Sequence, residues 1–412
     1  MKVLGLITEY NPFHNGHKYH LEKSLEKAGC DIAVCVMSGN FIQRGQPALI
    51  NKWARTEMAL KNGVDLVIEL PVYYALASAE FFAFGAIKIL DSLGIIDSVC
   101  FGSECGDIES LKLIANILVE QPESFRTELA KYLSQGLSFP KARSLALIDF
   151  FKGKSVLNAN SIEQIIEQPN NILGIEYVKA LTRLDSQITP FTIKRYGTGH
   201  HSEDQYENIS SATAIRKTLE SNNCEALKQV VPQNVSDIIK AEFKKGRGQV
   251  FTDGFSAMII SQIRKSSPED IQKIIDVSEG IENRIKNASQ ISGSISNLLN
   301  IIKTKRYTST RLQRILFHIL LGHTSDLFDK FNNNGGPQYA RILGFSEKGK
   351  ELLSQIKMPL VTSPAAFLKN CTDIQREMLE ADILASDIYS LAYQMPEQRL
   401  ASEDFHKKII TV

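Results

Sequence analysis

"LITEYNPFHNGHKYHL" (residues 6–21) passes from an apolar run into three histidines, His14, His17 and His20, with Asn15 and Gly16 between the first two. The β-branched run at 3–8 reads as a strand, residues 9–15 as a loop, and the segment from Gly16 as a helix. His14 and His17 therefore stand at a helix N-terminus, where unpaired N–H groups and the positive end of the helix dipole suit an anion such as phosphate. Three residues apart, both imidazoles can face one bound group. Gly16 lets the backbone approach that group without a Cβ in the way. Imidazoles can donate to phosphate oxygens and stabilise charge that develops on a leaving group. A metal site or three ordinary loop histidines compete with this reading, but H-x-G-H directly after a first strand is far more specific than a histidine pair.

Outward from that motif, short β-branched runs at 31–37, 66–70, 98–101 and 192–195 alternate with helical patterns at 16–28, 52–62, 78–93 and 108–119. This rhythm predicts an α/β fold, a parallel sheet wrapped by helices, with ligands beyond the C-terminal ends of the strands. After about residue 219 the rhythm changes to helical patterns at 257–263, 268–276, 295–302, 309–321 and 374–392. The expected organisation is a Rossmann-like domain over 1–224 and a mainly helical domain over 225–412. A chain of 412 residues, 43% of them hydrophobic, has ample core for two domains.

Basic and acidic side chains nearly balance, 47 against 46, so any surface for nucleic acid must be local. The six cysteines include no CxxC pair, which reads as reduced thiols in a cytosolic protein. No signal peptide is evident. The most apolar stretch, residues 70–90, carries Pro71, Glu80 and Lys88 and reads as a strand end and a buried helix rather than a membrane span. There is no GxSxG elbow and no convincing Cys–His pair for covalent catalysis. His200 and His201 read equally well as a polar loop pair and stay outside the catalytic set.

A second motif, "ISSATAIRK", occupies 209–217. Ser210 or Ser211 can cap the helix that follows, leaving N–H groups and Thr213 free for phosphate oxygens, and Arg216 offers a multidentate charge. In this order the two motifs resemble the HxGH and ISSTxIR signatures of the nucleotidyltransferase superfamily, related to class I aminoacyl-tRNA synthetases. Ala212 is an insertion relative to the generic pattern, and no KMSKS-type loop is evident. The resemblance implies that His14 and His17 stabilise the α-phosphate of ATP while a carboxylate or phosphate attacks and pyrophosphate leaves. Ile7, Thr8, Glu9, Tyr10, Asn11, Pro12, Phe13, His14, Asn15, Gly16, His17, Lys18, Tyr19 and His20 would then form the ATP floor.

Further stretches, "MSGNFIQRGQPALINKWARTEMAL" (37–60), "FGSECGD" (101–107), "QPNNILGIEY" (168–177), "IKRYGTGHHSE" (193–203), "KTKRYTSTRLQRILFHILLG" (303–322) and "YARILGFSEKGKELL" (339–353), together resemble the bacterial tRNA(Met) cytidine acetate ligases. That resemblance spans both halves. It implies adenylation of acetate by ATP and transfer of the acetyl group to N4 of the wobble cytidine of elongator tRNA(Met). It also carries ATP contacts onto Ile7 to His20, Gly102, Asn170 or Asn171 (Asn170 preferred) and Arg195, while Ser211, Thr213 and Arg216 join the expected ATP set through the second motif. Mg²⁺ is expected with ATP, held largely by phosphate oxygens with one carboxylate at most; Glu9 and Glu104 lie in suitable loops. For tRNA the local basic runs are Lys303, Lys305, Arg306, Arg311 and Arg314, with Tyr307 for stacking, and Lys244, Lys245 and Arg247 in a loop. A small-molecule adenylyltransferase and a non-catalytic RNA-binding protein are the alternative readings. Neither oligomeric state nor the choice of acetate over another short carboxylate is set by the sequence.

Overall fold

The computed structural model describes residues 1–152, 159–195, 210–220, 227–278, 280–304 and 307–412. Its strands, in chain order, are β1 (Val3–Thr8), β2 (Ile32–Ser38), β3 (Phe41–Ile42), β4 (Gln46–Pro47), β5 (Leu66–Leu70), β6 (Ser98–Ser103), β7 (Thr189–Lys194), β8 (Ala340–Phe345), β9 (Leu360–Val361) and β10 (Ile410–Thr411). The main sheet runs β10-β8-β5-β2-β1-β6-β7, with β9 on β8, while β3 and β4 form a separate hairpin. From β5 to β7 every pairing is parallel, as the alternating pattern predicts. β1 lies in the middle, and the chain runs outward from it first to β2 and later to β6. The order therefore reverses between β1 and β6, which opens a crevice at their C-terminal ends.

Side-chain alternation divides the sheet into two apolar faces. Leu4, Leu6, Ala33 and Cys35 pack with Leu21 of helix α1 (Asn15–Ala28) and with Met58 of helix α2 (Lys52–Leu60). Val34, Val36 and Ile68 face the opposite side, against the helices Ala79–Leu93 and Pro169–Arg183. Every residue of β2 is buried, which explains its unbroken apolar run. The 70–90 stretch resolves into the end of β5 and a buried helix, and among the described residues no helix is long and apolar enough to cross a membrane.

The C-terminal half is rich in helices, among them Ser256–Lys265, Ile295–Ile302, Ser309–Leu321 and Asp373–Ser390. It also supplies three strands that the hydrophobic pattern does not announce. β8 pairs antiparallel with β5, and β9 and β10 pair parallel with β8. Phe41 of the hairpin packs against Phe255, Phe317 and Tyr389, so one apolar core runs through both halves.

Four buried charges cross the seam. Lys52 Nζ lies 2.8 Å from Glu69 and 3.0 Å from Asp404, and Arg341 lies 3.3 Å from Glu69 and 3.2 Å from Asp404. Glu69 and Arg341 face each other in the β5–β8 register. Removing one member leaves an uncompensated charge in a dry site, a loss of about 3–5 kcal/mol. Lys52→Met is therefore expected to lower the unfolding free energy obtained from urea denaturation by that amount, whereas removing Lys23, half of an exposed pair with Glu26, leaves it nearly unchanged. Chemical denaturation of the two variants checks this.

Candidate active site

At the C-terminal ends of β1 and β6 lies a cavity of about 450 Å³. From the first motif it is lined by Ile7, Thr8, Glu9, Tyr10, His14, Gly16, His17, Tyr19 and His20. Gln43 and Arg44 reach it from the β3–β4 turn, Gly102 and Glu104 from the end of β6, and Asn170 and Tyr177 from the helix Pro169–Arg183. Lys194, Arg195, Ser210 and Ser211 complete the polar wall, and Phe82, Phe101, Leu173 and Ile193 the apolar one.

His14 is the N-cap of α1, and the two histidines cap one another. The His17 N–H donates to His14 Nδ1 and the His14 N–H donates to His17 Nδ1, each at 3.3 Å, with the rings stacked at 3.6 Å. An Nδ1 that accepts a backbone N–H holds the ring proton on Nε2. Both imidazoles therefore present Nε2–H donors. Burial, with the nearby Arg195 charge, pushes His14 down to about 3 and His20 down to about 4. Burial and then the adjacent His14 place His17 well below the ordinary histidine value. All three rings are neutral near pH 7.

Glu104 accepts from Asn170 N (3.2 Å), Asn170 Nδ2 (2.6 Å) and Asn171 N (2.8 Å), which caps the helix Pro169–Arg183. Asn171 Oδ1 accepts in turn from the N–H groups of Glu104 and Cys105. Asn170 thus faces the cavity, while Asn171 is buried and braces the loop. A Cβ on Gly102 would stand 3.0 Å from Arg195 Cγ, so a larger residue would displace that arginine.

Other members of the sequence-derived set stand behind the wall. Arg216 donates to the Asn11 carbonyl at 2.9 Å and to Thr213 Oγ1 at 3.2 Å, tying the second motif to the first. On the wall itself, Ser211 Oγ accepts from Ala214 N and caps the helix Ala212–Glu220. Asn11 accepts from Leu49 N, Pro12 is buried, and Phe13 belongs to the core. Asn15 donates to the Gln229 carbonyl, and Lys18 is exposed beside a separate depression with Lys61 and Asn62. Buried Arg55 donates to the carbonyls of Glu9 (2.7 Å) and Ser38 (3.0 Å), holding the loops after β1 and β2 together. Tyr177, Phe82 and Leu173 escaped the sequence reading because a cavity-facing apolar residue on a helix has the same periodicity as a core residue.

The basic runs divide in the same way. Lys244, Lys245 and Lys303 are exposed, Lys245 with an ion pair to Glu242. Arg247 pairs with Glu242 and Glu403. Arg311 donates to the Asp276 carbonyl and Ser278 Oγ, and Arg314 pairs with Asp276 at 2.8 Å. Tyr307 is buried beneath Arg311, its hydroxyl donating to the Ser278 carbonyl. Lys305, Arg306, Ile209, His200 and His201 lie outside the described residues. Among the described residues no group of three or more His, Cys, Asp or Glu is placed to hold a metal ion.

The family described as HIGH Nucleotidyl Transferase matches residues 1–404, which defines the class: a nucleotidyltransferase whose histidine motif follows the first strand. Among curated relatives, the tRNA(Met) cytidine acetate ligase of Acetivibrio thermocellus is 51% identical over the full length of both chains, and that of Thermoanaerobacter sp. is 45% identical over the full length of both. The crystal structure of Thermotoga maritima TmcAL bound with alpha-thio ATP superposes with a TM-score of 0.94 at 39% identity, covering 100% of this chain and 99% of that one. This chain belongs to the tRNA(Met) cytidine acetate ligase family.

Two measurements follow from the neutral histidines. His14→Asn keeps an N-cap acceptor but loses the Nε2–H donor, so adenylation is expected to fall on the order of 100-fold or more with little change in melting temperature. ATP–pyrophosphate exchange and calorimetry read the two effects. The folded-state values of His14 and His20 lie below the ordinary 6.5. Below pH 6.5 the unfolded chain therefore binds more protons, and stability is lost as pH falls. The melting temperature should decline from pH 6.5 towards 4.5, and a His14→Asn/His17→Asn double variant should flatten that decline.

Proposed function

We propose that this chain is an ATP-dependent ligase that activates acetate as acetyladenylate and passes the acetyl group to N4 of the wobble cytidine of elongator tRNA(Met). The products are N4-acetylcytidine, AMP and pyrophosphate. The observation that carries this reading is the reciprocal cap: two neutral imidazoles with Nε2–H donors at a helix N-terminus, in one cavity with Arg195.

Adenine and ribose lie against Gly102 and Asn170, and the phosphates over α1. An acetate oxygen attacks the α-phosphorus, and the bond to the bridging oxygen breaks with its electrons on pyrophosphate. His14 and His17 donate to the oxygens on which charge gathers, and Arg195 offsets that charge without a covalent intermediate. Joining AMP turns acetate, a poor electrophile, into one with a good leaving group. Mg²⁺ would accompany ATP, held largely by phosphate oxygens, and would offset their charge; Glu9 and Glu104 are the carboxylates among the described lining residues. The second step is attack by the cytidine amine on the acetyl carbon.

The division of labour follows the chain: 1–224 hold ATP and acetate, and 225–412 hold tRNA, with Lys244, Lys245 and Lys303 as exposed phosphate contacts and Lys305 and Arg306 beside them in sequence. The enzyme works in the cytoplasm, where its substrates are. Incubation with ATP, labelled acetate and unmodified tRNA(Met), followed by digestion and mass spectrometry, tests the reading. Acetylcytidine that requires all three components is the expected result. Acetyladenylate without an RNA product would overturn the acceptor and return the chain to small-molecule adenylylation. Neither species would leave a binding protein.

A further inference from the structure

Acetyl transfer to N4 of cytidine leaves a proton to be placed. The exocyclic amine is a weak nucleophile because its lone pair is delocalised into the ring, and its N–H becomes acidic as the new N–C bond forms. A positioned base within the cavity is therefore valuable. This inference rests on the ligase reading above.

Few cavity groups can accept that proton. The Nδ1 lone pairs of His14 and His17 already take backbone N–H groups, and their Nε2 atoms carry hydrogen. His20 is engaged by Ser24 Oγ and by the Phe101 backbone. Both oxygens of Glu104 are taken by the Asn170–Asn171 turn. Arginine and lysine have no lone pair to offer while charged. Burial raises Tyr177, and a neutral phenol is a poor base.

Glu9 differs from all of these. It follows β1 directly, its backbone carbonyl is held by Arg55, and its Oε1 accepts from the Gln43 N–H at 2.9 Å. Among the described residues its Oε2 has no hydrogen-bond partner. Arg44 and Arg216, with Arg55, are the cations that face it, and Tyr177 is the neighbouring phenol. One oxygen is thus fixed, the other is unpaired among the described residues, and Glu9 lines the cavity.

We propose that Glu9 is the general base of the acetyl-transfer step, Oε2 receiving the N4 proton. The N4–C bond forms, the bond between the acetyl carbon and the phosphate oxygen breaks, and the electron pair leaves on AMP. The His14 and His17 donors stabilise that leaving phosphate, and Glu9 returns its proton to water. The surrounding guanidiniums would otherwise hold the carboxyl low, but burial outweighs them and raises it, towards a value better suited to taking a proton.

Glu9→Gln keeps an acceptor for the Gln43 N–H and removes the base. Single-turnover transfer from preformed acetyladenylate to tRNA is expected to fall on the order of 100-fold, with acetate-dependent ATP–pyrophosphate exchange losing far less. Equal losses in both reactions would overturn the proposal and assign Glu9 to ATP or its cation, and unchanged transfer would overturn it outright. A wild-type protein that makes no acetylcytidine fails the ligase reading itself, which differs from normal acetylation with an unsplit Glu9→Gln variant.

Discussion

The exchange of backbone hydrogen bonds between His14 and His17 is the constraint on which the site depends. In an ordinary capping box a serine or threonine and a glutamate satisfy the first N–H groups of the helix. Here two imidazoles do so, each through Nδ1. The same bonds that start α1 set the tautomers, so helix formation and the aiming of two Nε2–H donors are one event. The rings stack at 3.6 Å, and burial keeps them neutral. The orientation of the two donors is thereby part of the secondary structure.

Everything around that cap serves to hold it against the sheet. Arg216 reaches back from the second motif to the Asn11 carbonyl, and Arg55 gathers carbonyls from the loops after β1 and β2. Neither arginine needs an ion pair for this, because backbone carbonyls take up its hydrogens. The β3–β4 turn carries Gln43 and Arg44 to the cavity, and a Cβ on Gly45 would stand 2.4 Å from Arg314 N. The helix Ser309–Leu321 thus backs one wall of the site. Together with the buried charges at β5 and β8, this makes the two halves of the chain mechanically one body around the cavity.

Strand and helix identity was legible wherever one physical pattern dominated. β2 is apolar throughout because both its faces are buried, and the helices of the C-terminal half keep the 3.6-residue period. β8 was not legible. Arg341 stands in the middle of "ARILGF", and a buried arginine in a strand makes sense only opposite Glu69, nearly three hundred positions away in the chain. The basic run at 303–314 shows the same limit. Composition cannot distinguish an arginine that faces solvent from one that binds the turn at Asp276, as Arg311 and Arg314 do.

What the sequence determined by itself was local: the strand–loop–helix around His14 and His17, the glycine between them, and the order of the two motifs. These depend on neighbours within a few residues, where backbone geometry leaves little choice. The tertiary structure decided which side chains meet across the fold. It turned Asn170 and not Asn171 into the cavity, occupied Glu104 with a helix N-terminus, left one oxygen of Glu9 without a partner among the described residues, and joined the C-terminal strands to the nucleotide-binding sheet. The physical reason is that hydrogen-bond partners and buried charges are shared among distant segments, and no periodicity along the chain records who shares with whom.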